Sequence, residues 1–210
     1  PPRRAADLKM RRPALAFAFL ACALLAGVLP SRAALQEQVV ELAVTAANAR
    51  GQSVTHPIKL TIFRDDAIAK SPFLILNHGR AATREDHAKL GRARYSDNSK
   101  YFVGKGFAVF VPTRIGYGVS GGPDIENSGG CRSKNYPPVY EATAQHTLQI
   151  LAYARTLPFV DGERGIALGQ SFGGTAAITI AAKNTPGVVA AVNFAGGGGG
   201  NPTDRPGDPC

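Results

Sequence analysis

The chain has 210 residues, a formal net charge of +9 and 44% hydrophobic residues. That length suits one domain, or a domain with a leader, and the apolar share excludes a wholly disordered chain. Three cysteines exclude a disulfide-dense miniprotein, and the absence of a C-x-x-C pair excludes the usual zinc-site pattern, so no metal is expected.

Residues 13–30 carry no charge; Arg11 and Arg12 precede them and Ser31-Arg32-Ala33-Ala34 follows. A basic region, an apolar run and a small-x-Ala site together make a secretory signal peptide cleaved near Ala33, which implies export to the periplasm or beyond. The alternative is an uncleaved anchor, because the run is just long enough for a tilted span; only then is a membrane a partner. Residues 1–9 precede the sole Met, Met10, and read as upstream sequence. The first 33 residues hold six bases and one acid, so they carry most of the net charge. The remaining charge is scattered, with no basic stripe interleaved with aromatics, and nucleic acid is not an expected partner. Export takes Cys22 away and leaves Cys131 and Cys210, an even pair in an oxidising compartment. They are expected to form a disulfide closing a loop of about 80 residues; the alternative is two free thiols.

The rest of the chain, residues 34–210, reads as one domain. Residues 38–46 and 58–63 predict two strands joined as a hairpin around Gly51. Pro72–Leu76 is a short continuous apolar run, as expected of a buried parallel strand. A polar loop from Asn77 to about Ser96 leads to a short helix over 97–105 and a buried strand over 107–111, stopped by Pro112. Residues 113–136 predict a long loop. Pro137 and Pro138 open a helix whose core face is Tyr140, Ala144, Thr147, Leu148, Leu151 and Ala154. A strand over 165–168, a small-residue helix over 171–183 and a strand over 187–195 follow. Strands alternating with helices predict an α/β class: a mostly parallel twisted sheet with helices on both faces, opening on an antiparallel hairpin.

Gly169-Gln-Ser171-Phe-Gly173 sits where an apolar strand meets an uninterrupted helix-forming run. The G-x-S-x-G pattern suits a sharp strand-to-helix turn. Small residues on either side let neighbouring backbone pass close while the Ser is held strained and exposed, and the helix N-terminus faces a developing oxyanion. Gly118-Val-Ser120-Gly-Gly122 matches the same pattern, but Pro123 follows and no helix begins there, so Ser120 reads as a loop residue. The overlapping Gly116-Tyr-Gly118-Val-Ser-Gly121 matches a dinucleotide fingerprint and fails for the same missing helix. Asn77-His78-Gly79-Arg80 ends the first parallel strand, at the edge where ligands bind in open α/β sheets. His78 reads as a residue that ties down this loop rather than a base. His56, His87 and His146 read as surface or helix-face residues.

These three segments, taken in order, resemble the α/β-hydrolase superfamily, most closely the serine branch of the dienelactone hydrolase and prolyl-oligopeptidase-like group. Dienelactone hydrolases proper use Cys where this chain has Ser171. The resemblance implies Ser171 as nucleophile, with the backbone N–H groups of Phe172 and Arg80 as oxyanion donors. It also implies an acyl-enzyme route for a small-molecule ester or a short peptide, with no cofactor. His78, Gly79, Arg114 and Tyr117 are candidate lining residues, and Arg80 and Arg114 would favour an anionic substrate; alternatively Arg114 pairs with an acid and holds its loop. The superfamily places its Asp and His after the serine, on two further strands. Here no His follows Ser171, and the later carboxylates are Asp204 and Asp208. Residues 34–210 are therefore expected to be the front part of a secreted serine hydrolase, inactive by themselves. The contrasting expectations are a prolyl-oligopeptidase-like peptidase and a non-catalytic binding module on the same fold.

Overall fold

A computed structural model describes residues 35–130 and 133–197. The leader, its cleavage site, Cys131, Cys210, Asp204 and Asp208 lie outside the described residues.

Strands β1 (Leu35–Ala47) and β2 (Ser53–Asp65) form the expected antiparallel hairpin, in register from Leu35 opposite Asp65 to Ala47 opposite Ser53. Next come β3 (Ser71–Asn77), two short helices α1 (Arg84–Lys89) and α2 (Ser96–Val103), β4 (Ala108–Thr113), α3 (Pro137–Arg155), β5 (Val160–Gln170), α4 (Phe172–Ala182) and β6 (Val188–Phe194). The strands join one six-stranded sheet in the order β1-β2-β4-β3-β5-β6. Pairings β4–β3, β3–β5 and β5–β6 are parallel, and those made by β2 are antiparallel. This is the α/β architecture that the sequence pattern implies.

Side chains alternate across a strand, so each parallel strand feeds two cores. Phe73, Ile75, Ala108 and Phe110 meet Ala142, Ile150, Leu151 and Ala154 of α3 on one face. Their neighbours Leu74, Leu76, Val109 and Val111 meet Val103 of α2 on the other. Helix α4 joins the α3 side, where Ala177 and Ile180 pack on Ala167 and Ala144. Continuous apolar runs in β3 and β4 thus reflect burial on both faces.

Several boundaries depart from expectation for identifiable reasons. Strand β4 runs through Pro112, because pairing with β3 ends at Phe110 and Pro112 is registered against β2 alone. Strand β5 starts five residues early, at Val160 beside Ser71, and slips register before Gly165 through a polar stretch that carries no strand pattern. Helix α1 has six residues, one of them buried, and so no apolar periodicity; Thr83 caps it by accepting from the Asp86 N–H. The buried stripe of α3 includes Val139, Thr143, His146 and Ile150, and Tyr140 is only half-buried, because the helix packs against both the sheet and α4. Strand β6 exposes Val189 and Phe194, and β5 is its one strand neighbour among the described residues. No helix of the described residues is long and apolar enough to cross a membrane.

Candidate active site

The end of β5 turns into α4 at Ser171. This residue has φ 53° and ψ −124°, a positive-φ backbone that a residue with a Cβ rarely adopts. Its surroundings hold it there. The Ser171 N–H donates to the Phe194 carbonyl at 2.8 Å, and its own carbonyl accepts from the Gly174 and Thr175 N–H groups at 2.8 and 3.2 Å. The flanking glycines are sterically required: a Cβ on Gly169 would overlap the Gly173 carbonyl, and one on Gly173 would overlap the Asn77 carbonyl. Close packing of β5, α4 and the end of β3 therefore fixes the turn. Ser171 is half-buried, and the Phe172 N–H stands in the first turn of α4, where donors lack intrahelical acceptors.

Gly79 lies directly against this turn. A Cβ placed on it would sit 3.2 Å from Ser171 Cβ and 3.0 Å from Gln170 Oε1. The fold thus brings His78-Gly79-Arg80 and Ser171-Phe172 together, although 90 residues lie between Arg80 and Ser171 in the chain. The other G-x-S-x-G serine is elsewhere and occupied. Ser120 closes a one-turn 3-10 helix (Gly118–Ser120). Its hydroxyl donates to the Thr113 carbonyl at 2.6 Å and accepts from the Lys59 N–H at 2.9 Å, and His56 Nε2 bonds its carbonyl.

Three candidate lining residues are corrected by their burial. His78, Arg114 and Tyr117 are each at most 1% exposed and stand behind the turn. Arg114 forms a two-pronged pair with Glu126, at 2.6 Å from Nε and 3.0 Å from Nη2. Tyr117 donates its hydroxyl to the same carboxylate at 2.7 Å. Burial pushes the Glu126 carboxyl up, but the Arg114 guanidinium and its hydrogen bonds bring it down to about 2. Arg114 is therefore the loop-holding residue of the two alternatives, and its charge is neutralised at source. Arg80 is likewise engaged, with both terminal nitrogens on the Asp124 carboxylate at 2.7 Å, and its guanidinium lies 5.9 Å from the centre of the Phe172 ring. Neither arginine is a free anion receptor.

The His78 ring has a defined tautomer. Its Nε2 accepts the Arg114 N–H at 3.1 Å, so the proton sits on Nδ1 and is donated to the Gly79 carbonyl at 2.7 Å. Burial, reinforced by the nearby Arg114 charge, pushes its pKa down to about 3. His146 is buried beside this cluster and is pushed down to about 4, again chiefly by burial. His87 is buried too, its ring 4.5 Å from Tyr117, and its Nε2 bonds the Ala81 carbonyl. His87 and His146 are thus core residues, contrary to the surface or helix-face reading. Each of the four imidazoles has a partner other than Ser171.

Sequence reasoning missed Asp124, Glu126 and His146. The two acids were detectable as the only carboxylates in an otherwise acid-free loop that begins with Arg114. His146 gave no signal beyond its place on α3. Among the described residues no cluster of three or more His, Cys, Asp or Glu is arranged to hold a metal ion. A polar cavity of about 410 Å³ opens near the β1–β2 turn; Asn48, Arg50, Asp124 and Asn135 are among its walls, and Ser171 is not.

No protein-family model and no curated protein matches the chain. Solved structures similar to it include the esterase Est22, at 17% identity and a TM-score of 0.46, over 76% of this chain and 45% of that one. Others are acetyl xylan esterase 1 from Thermoanaerobacterium sp. JW/SL YS485, at 19% and 0.49 over 79% and 54%, and a bacterial heroin esterase, at 20% and 0.44 over 85% and 49%. The chain spans about half the length of these proteins.

Proposed function

We propose that the protein is an exported serine hydrolase of carboxylic esters that works through an acyl-enzyme on Ser171. The strained, half-buried Ser171 at the mouth of α4, with Gly79 against it, is the observation that carries this reading. Strain at a residue over-determined by its packing is characteristic of functional turns. A base takes the Ser171 proton as Oγ attacks the ester carbonyl. The Phe172 and Arg80 N–H groups stabilise the oxyanion, the alcohol leaves with the proton, and water then releases the acid. Export rests on the basic, apolar and small-x-Ala order of the first 33 residues.

This chemistry needs a general base, and among the described residues no histidine is bonded to Ser171. By themselves they are expected to turn over negligible ester. That same observation favours the second reading, a non-catalytic binding module. The test compares hydrolysis of p-nitrophenyl acetate by the protein produced from its natural gene with hydrolysis by its Ser171→Ala variant. Turnover in the first and not the second supports the hydrolase; none in either supports the binding module.

A further inference from the structure

We propose that Arg114, clamped by Glu126 and Tyr117, is a positioning residue that aims the successive Gly79 and Arg80 amides, the second of which is an oxyanion donor on which the hydrolase reading relies. A trans peptide is planar, so its C=O and its N–H point in opposite directions. The His78 carbonyl accepts from Arg114 Nη1 at 2.5 Å, which turns it inward; the Gly79 N–H on the same peptide therefore points away from the buried cluster. The Gly79 carbonyl accepts from His78 Nδ1 at 2.7 Å, so the Arg80 N–H likewise points away from the imidazole. The imidazole is itself oriented by the Arg114 N–H on Nε2. One residue thus fixes two successive peptides, one through its guanidinium and one through its backbone.

The clamp is built to stay put. Arg114 and Glu126 are fully buried, and two prongs to the carboxylate plus one to the His78 carbonyl leave the guanidinium little freedom. Tyr117 donates to Glu126 while its ring packs edge-on against His78 at 4.7 Å and under the Arg114 guanidinium at 5.2 Å. A lysine at 114 would keep the charge but could not reproduce this fork.

The experiment is Arg114→Lys in the natural-length protein, with Glu126→Gln as the second variant should the first not fold. Backbone amide NMR is the readout that does not depend on activity. The Gly79 and Arg80 cross-peaks are expected to shift and broaden, and that of Val189, on the far edge of the sheet, to stay. Where the wild type hydrolyses ester, kcat is expected to fall about 10- to 100-fold, with KM within about threefold. Ile150→Val, a destabilising core change away from the turn, is expected to lower Tm and leave kcat unchanged. Unmoved Gly79 and Arg80 amides in a folded variant overturn the proposal, and so does an unchanged kcat in an active protein. A wild type without turnover refutes the hydrolase reading alone, since the amide spectra still decide the positioning role.

Discussion

Ser171 and Ser120 stand in the same five-residue pattern, and both patterns follow a strand of the one sheet, yet the fold uses them in opposite ways. At Ser171 the strand becomes a helix at once, and the serine itself takes the positive φ. At Ser120 the glycines take it instead: Gly118, Gly121 and Gly122 all have positive φ, and the serine does not. The Ser120 hydroxyl is spent on two backbone bonds that tie the loop to β2 and β4. What separates the two serines is therefore which residue bears the strain, a property of the turn and not of the motif.

The largest effect that tests this contrast is on reactivity. In the natural-length protein, Ser171→Ala is expected to reduce ester turnover by at least about 10³-fold, whereas Ser120→Ala leaves it within about threefold, both read as initial rates. Next comes Gly173→Ala, whose added methyl group would overlap the Asn77 carbonyl. It is expected to cost roughly 3 kcal/mol or more, seen as a loss of soluble protein or a large drop in denaturant midpoint. A midpoint unchanged from wild type would show that β3 and α4 are not in close contact. Glu126→Gln removes one partner of a buried ion pair and is expected to cost about 3–5 kcal/mol by the same measurement.

Acid provides a graded test of the buried cluster behind the Ser171 turn. Unfolded imidazoles titrate near 6.5, while folded His78 and His146 are held down at about 3 and 4. Between these values the unfolded chain binds more protons, so stability falls as pH drops below about 6.5, by up to about 1.4 kcal/mol per pH unit for each ring. Glu126, depressed to about 2 from 4.5, adds further loss below about pH 4.5. Thermal midpoints should decline steadily from pH 7 to pH 4.5; a flat profile would mean that these rings are not buried neutral. The smallest effect is on the structural serine: Ser120→Ala leaves the Lys59 N–H without its acceptor and should cost about 1 kcal/mol.

Much of this was legible in the sequence because the signals are local. The apolar runs of β3 and β4, the proline start of α3 and the strand–serine–helix order around Ser171 need only neighbouring residues to be read. Pro123 and the lack of a following helix already set Ser120 apart. The cluster of His78, Arg114, Tyr117, Glu126 and His146 was not legible in the same way. Its members come from the turn after β3, the loop after β4 and α3, and they meet only because the chain folds that loop back behind the end of β3. A charged residue in a glycine-rich loop reads as solvated until its partner is known, so Arg114 read equally as a lining residue or as the partner of an unnamed acid, and Glu126 gave no signal. The polar start of β5 and the six-residue α1 escaped for the simpler reason that neither has an apolar period.

The central claim is that Ser171, and not its twin, is the nucleophile. Treating the natural-length protein with a fluorophosphonate and locating the adduct by peptide mass spectrometry tests it most directly. One adduct is expected, on Ser171, abolished in Ser171→Ala and retained in Ser120→Ala. An adduct on Ser120, or labelling that survives Ser171→Ala, would contradict it.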